Sequence, residues 1–147
     1  MLFRSACSFN CSNKKPKDLK FILGEPSNNF GVGAGGNRLV LPITDNNKIG
    51  AVVLLPGCAG IHPDYKDDYR RWGNLLLENG YAVVLIDHYN SRGVKDNCAK
   101  GPIKYERLSR DVADAVALII KQPTIDKSRI FTLGFSRGAM KIGRAHV

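Results

Sequence analysis

No apolar stretch in this sequence approaches the roughly 18 residues needed to cross a bilayer. The longest runs are segments such as Ala82 to Ile86 and Val116 to Ile120, which excludes a helical membrane protein. Cysteine is scarce: Cys7, Cys11, Cys58 and Cys98 form no C-x-x-C pair, and the three histidines are not spaced to complete a zinc site with them. No structural metal is implied. Acidic residues are fewer than basic ones, 13 against 22, for a formal net charge of +9. The bases are nevertheless scattered, apart from Lys14, Lys15 and Lys17, and interleaved with Asp and Glu, so they read as a solvated surface and not as a nucleic-acid footprint. Repeats and low-complexity tracts are absent. What is there, 147 residues at 44% hydrophobic and 24% charged, has the composition of a soluble globular domain with one core.

The two ends differ from the rest. Residues 142 to 147 (IGRAHV) back-translate to a widely used short-read sequencing adapter, and residues 1 to 5 (MLFRS) back-translate to its reverse complement read from a GTG start. Residues 1–5 and 141–147 are therefore expected to be adapter scars, and 6–140 the natural part of one domain. Setting aside Arg4, Lys141 and Arg144 leaves 19 basic against 13 acidic residues, which weakens the basic bias further.

Along the chain, Ala6 to Lys20 is polar and aperiodic and reads as a loop. Arg38 to Leu41 is a short β-prone segment before Pro42, and Ala51 to Leu55 is a continuous apolar run of the kind buried on both faces of a parallel sheet. From Lys66 to Asn79, Tyr69, Trp72, Leu75 and Leu76 recur at helical spacing, with Gly80 to end the helix. Tyr81 to Ile86 repeats the buried-strand pattern. Leu108, Val112, Ala115, Val116, Ile119 and Ile120 predict a second amphipathic helix before Pro123, and Ile130 to Leu133 a third buried strand. Strand, helix, strand, helix, strand predicts an α/β domain with a mostly parallel sheet, flanking helices, and its ligand site at the carboxyl ends of the strands. If nothing pairs beyond it, the Ile130 to Leu133 strand is an apolar sheet edge that favours poor solubility.

Three loops at those carboxyl ends concentrate unusual residues: Pro56-Gly57-Cys58-Ala59-Gly60, Asp87-His88-Tyr89-Asn90 and Gly134-Phe135-Ser136-Arg137-Gly138. The last is G-x-S-x-G directly after a strand, the context of a nucleophile elbow, in which a strained turn lifts the Ser136 hydroxyl to the sheet edge and glycines on either side relieve crowding. A serine hydroxyl is a weak nucleophile by itself. It needs a histidine base, a carboxylate to orient that base, and backbone N–H groups aimed at the developing oxyanion. The small residues after the Ala51 to Leu55 strand suit the second function, so the donors are assigned to the amides of Cys58 and Arg137.

Here a resemblance becomes specific. LLPGCAGIHPDY, GYAVVLIDHYNSRG and GFSRGAM, in register over roughly residues 38 to 140, resemble the dienelactone hydrolase family of the α/β-hydrolases. The resemblance implies an α/β-hydrolase fold whose C-terminal part is missing, and hydrolysis of a small-molecule ester or lactone through an acyl-enzyme on Ser136, with no cofactor. It also implies a catalytic Asp and His later in the chain than Met140, both absent from this fragment, so that the fragment itself is expected to be inactive. Family members with a cysteine elbow act on dienelactone, whereas Ser136 resembles the serine branch and leaves the substrate open. An acyltransferase or peptidase on the same fold, or a non-catalytic binding protein that keeps the elbow, are the alternatives.

Other residues receive structural readings. His62 and His88 precede Ser136, opposite to the triad order of this fold, and are assigned surface or pocket-lining roles; His146 lies in the suspected scar. Asp87 can shape the pocket or cap a turn with its carboxylate, and the cap is taken as the default. Gly31, Gly33 and Gly36 match G-x-G-x-x-G but are followed by a strand, which rejects a dinucleotide site. Cys58 and Cys98 are expected as two independent thiols, with a disulfide as the alternative in an oxidising compartment.

Overall fold

A computed structural model describes residues 24–27 and 37–142; the N-terminal lead-in, the Gly31 to Gly36 segment and the last five residues lie outside the described residues. The strands are β1 (Gly24–Ser27), β2 (Arg38–Val40), β3 (Ile49–Leu55), β4 (Ala82–Leu85) and β5 (Ile125–Gly134). The helices are α1 (Lys66–Glu78), α2 (Tyr105–Ile119) and the short α3 (Ala139–Ile142).

The strands form one sheet in the order β1-β2-β4-β3-β5. The pairs β3 with β4 and β3 with β5 are parallel, as is β1 with β2, while β2 runs antiparallel to β4. Every residue of β3 and β4 is buried, as the unbroken apolar runs require of strands covered on both faces. Alternation then sorts the side chains. Ala51, Val53 and Leu55 join Ala82, Val84 and Ile86 against Val112, Ala115 and Ile119 of α2. Val52, Leu54, Val83 and Leu85 pack on the other face with Tyr69 of α1. The domain is therefore a three-layer α/β arrangement with α1 and α2 on opposite faces.

The crossover through α1 moves from β3 to β4, and the crossover through α2 returns past β3 to β5. Reversing direction while changing face keeps the same hand, the right-handed solution that strand twist favours. Loops after β3 and β5 consequently diverge from adjacent strands to opposite sides of the sheet, leaving a crevice between them.

The strand β1 (Gly24–Ser27) was not expected from its sequence, and two expected elements depart from their predicted burial. Within β5, Ile130 to Leu133 is not buried: β5 is the sheet's edge, and Phe131 is half exposed. An apolar run signals a buried strand only when something covers it. On α1, Tyr69, Gly73, Leu76 and Leu77 face the sheet, whereas Trp72 and Leu75 are 38% and 46% exposed. At 100° per residue, Tyr69, Gly73, Leu76 and Leu77 share one arc of the helix, with Trp72 at its margin and Leu75 beyond it. Gly80, with φ of 79°, follows the helix in the left-handed conformation that the stop signal predicts.

Candidate functional site

Ser136 stands at the end of β5 with φ of 50°, one of two described non-glycine residues in the left-handed region. For an L-residue this backbone costs about 1–2 kcal/mol and persists only where its surroundings enforce it. They do so through the two glycines. A Cβ on Gly138 would lie 2.1 Å from the Leu55 carbonyl oxygen, and one on Gly134 would lie 2.4 Å from the Ala139 nitrogen. The turn is thus pressed against the end of β3 with no room for side chains. Phe135 donates its N–H to Leu55 O at 3.0 Å, and Gly138 donates to Phe135 O at 2.7 Å, closing the turn. Ser136 is left exposed at the tip.

Beside it lies a cavity of about 310 Å³, lined by Cys58 and Ala59 from the loop after β3, Tyr65, Asp68 and Tyr69 from α1 and its approach, and Phe135. Ser136 and Gly57 also border it, and a Cβ on Gly57 would sit 3.5 Å from the Ser136 Cβ. The fold thus brings the Ser136 and Cys58 loops to one cavity. The Tyr69 hydroxyl accepts the Gly57 N–H at 3.2 Å, and burial raises its pKa, so it stays protonated. Phe135 meets Tyr69 edge-on, with ring centroids 5.3 Å apart, which fixes the Ser136 turn to α1.

The side chain of Arg137 turns to other partners than the cavity. Its Nε donates to the Tyr105 hydroxyl at 2.8 Å, its Nη1 donates to Cys98 O at 3.2 Å, and the guanidinium carbon sits 4.6 Å from the Tyr105 ring centroid. Any contribution of Arg137 to an oxyanion is therefore through its main chain.

Cys58 and Cys98 are not independent thiols. They form a disulfide with Cα atoms 4.6 Å apart across a sequence separation of 40. Their strands are neighbours, and Asn97 completes the approach: its N–H donates to Cys58 O at 2.8 Å, while its fully buried side chain accepts from Ile103 N and donates to Ile103 O. A buried Asn bonded on both sides of its amide fixes the loop it closes. Cys7 and Cys11 lie outside the described residues.

The histidines separate. His62 is exposed and borders a second cavity of about 390 Å³ on the far side of Ala59, together with Asp87, Asn90, Lys95 and Asp96. His88, expected at the surface or in a pocket, is instead buried, and its Nδ1 lies 2.8 Å from Asp111 Oδ2. Arg92 donates to both Asp111 oxygens at 2.8 Å, and Arg107 donates its Nε at 3.0 Å. Burial by itself pushes the Asp111 pKa up; the hydrogen bonds from His88, Arg92 and Arg107 outweigh it and hold the carboxyl well below the usual carboxylate range. Neither described histidine lines the Ser136 cavity. Asp87 caps its turn as read from the sequence, accepting the N–H groups of Tyr89 and Asn90 at 3.1 and 3.0 Å.

Asp111 and Asn97 were not singled out from the sequence. Asp111 had a legible signal, because it sits on the α2 stripe of Leu108, Val112 and Ala115, where a carboxylate needs cationic partners. Asn97, in a polar loop, had none. His146 and the Gly31 to Gly36 segment lie outside the described residues. No protein-family model matches this chain, and none of the curated proteins is detectably similar to it.

Proposed function

We propose that this chain carries the nucleophile half of a serine hydrolase with an α/β-hydrolase fold, similar to dienelactone hydrolases, that cleaves ester or lactone bonds. The observation that carries the reading is the left-handed Ser136 between two glycines that tolerate no Cβ, at the carboxyl end of a strand in a mostly parallel sheet. Backbone strain of this kind clusters at active sites and ligand clamps, which supports a catalytic reading of an exposed hydroxyl.

In this reading Ser136 Oγ bonds to the substrate carbonyl carbon while its proton passes to a histidine. The carbonyl electrons move onto oxygen, where the N–H groups of Cys58 and Arg137 hold the negative charge. Collapse expels the alkoxide, which takes the proton back, and water hydrolyses the acyl-enzyme by the same sequence. The histidine and its orienting Asp are contributed by residues outside those described, following Met140 in chain order.

The test begins with recovery of the coding sequence downstream of Met140 from the source nucleic acid and expression of the continued chain. An alkyl fluorophosphonate is expected to label Ser136, and Ser136→Ala to lower kcat for an aryl ester by at least about 10³. A continuation without Asp and His, or undiminished turnover by Ser136→Ala, refutes the assignment.

A further inference from the structure

The cavity beside Ser136 has a chemical character of its own. Three aromatic rings, Tyr65, Tyr69 and Phe135, and the Ala59 methyl form its wall, and the disulfide closes one side. Its one ionic lining group among the described residues is Asp68, whose side chain is 56% exposed. Arg71 pairs with that carboxylate at 3.1 Å, but it is 77% exposed, does not line the cavity, and forms a solvated pair of small strength. Arg137, adjacent to Ser136 in sequence, does not line the cavity, and its guanidinium is engaged by the Tyr105 hydroxyl and the Cys98 carbonyl. A ligand carboxylate placed here would leave water without a cationic partner and face a like charge.

Size narrows the class further. About 310 Å³ is near the lower limit for ligand pockets and equals about ten water molecules at liquid density. The cavity itself takes a small group, with its open side toward solvent. The Tyr69 hydroxyl, which accepts from Gly57, keeps its own proton to donate, so a single acceptor oxygen on the ligand is satisfied.

We propose that this cavity selects small, uncharged, apolar esters and discriminates against substrates that carry a carboxylate. The proposal rests on Ser136 being the reacting group nearby, but the selectivity resides in the wall and in Asp68 and is measurable without turnover.

Two probes that share one body separate the possibilities: acetophenone, neutral with one acceptor oxygen, and 4-acetylbenzoate, which adds a carboxylate, with the Asp68 variants below separating the effect of charge from that of size. Binding is followed on the 147-residue chain by two-dimensional ¹H–¹⁵N NMR, using the Gly57 and Ser136 amides and the indole of Trp72, the only tryptophan, whose ring lies 6.2 Å from Phe135. Acetophenone is expected to give saturable shifts at these positions, and 4-acetylbenzoate to bind at least about fivefold more weakly. Asp68→Lys, a change at an exposed position in the first turn of α1, is expected to erase or invert that preference, and Asp68→Asn to reduce it. Equal or tighter binding of the carboxylate by the native chain overturns the proposal, as does an unchanged preference in Asp68→Lys or the lack of saturable acetophenone binding. Fluorophosphonate labelling of the continued chain is independent of these results, so a failed nucleophile and a failed selectivity are distinguishable.

Discussion

Replacing Asp111 by Asn is expected to be among the most damaging single changes to this domain. The carboxylate is 1% exposed and receives His88, both nitrogens of the Arg92 fork and the Arg107 guanidinium. The Arg92 side chain is itself 4% exposed, so a neutral amide at 111 leaves a buried cation facing an added N–H₂ donor. Breaking a buried ion pair from one side costs about 3–5 kcal/mol. That is a large part of the roughly 5–15 kcal/mol available to a domain of this size. The midpoint of thermal unfolding should fall by about 10–20 °C. The pH dependence gives a second readout. Because the folded-state pKa of Asp111 is depressed, its contribution is fully present above the unfolded carboxylate value near 4 and is lost as pH falls below it. The native chain should therefore lose stability on acidification through that range, and Asp111→Asn should lose less. Urea denaturation monitored by Trp72 fluorescence at pH 7 and pH 3 measures both. A loss below about 1 kcal/mol at pH 7, or the same acid sensitivity in both proteins, refutes the reasoning.

Reduction of Cys58–Cys98, which closes a loop of about 40 residues, should destabilise the domain by about 4 kcal/mol through the entropy restored to the unfolded chain; comparing urea midpoints with and without a thiol reductant checks it. Gly138→Ala drives a methyl against the Leu55 carbonyl, a backbone atom that no rotamer change can move, and should cost at least about 2–3 kcal/mol and release the Ser136 turn; thermal melting and the Ser136 amide shift report the two effects.

Much of the architecture was legible because it depends on local pattern. Unbroken runs such as Ala51 to Leu55 can be buried only by a sheet covered on both faces, and the stripe from Leu108 to Ile119 can be buried only by a helix lying on it. The sharp turn at Ser136 was legible for a similar reason, since two glycines around a serine after a strand leave few other backbones. The exposure of Phe131 was not, because the burial of a strand depends on what pairs beside it and not on its own residues.

Local sequence was enough for the α/β class, the order of strands and helices from β2 to β5, the capping role of Asp87 and the crowding that bends the chain at Ser136. These follow from hydrophobic period and from the dihedral limits of individual residues, which act over a few positions. Long-range packing, in contrast, settles that Cys58 meets Cys98, that Asn97 closes their loop, and that His88 is buried against Asp111 instead of lining a pocket. Each of those pairings joins loops or helices separated by 20 or more residues or turns on which donor fills a buried acceptor, and no local periodicity records either.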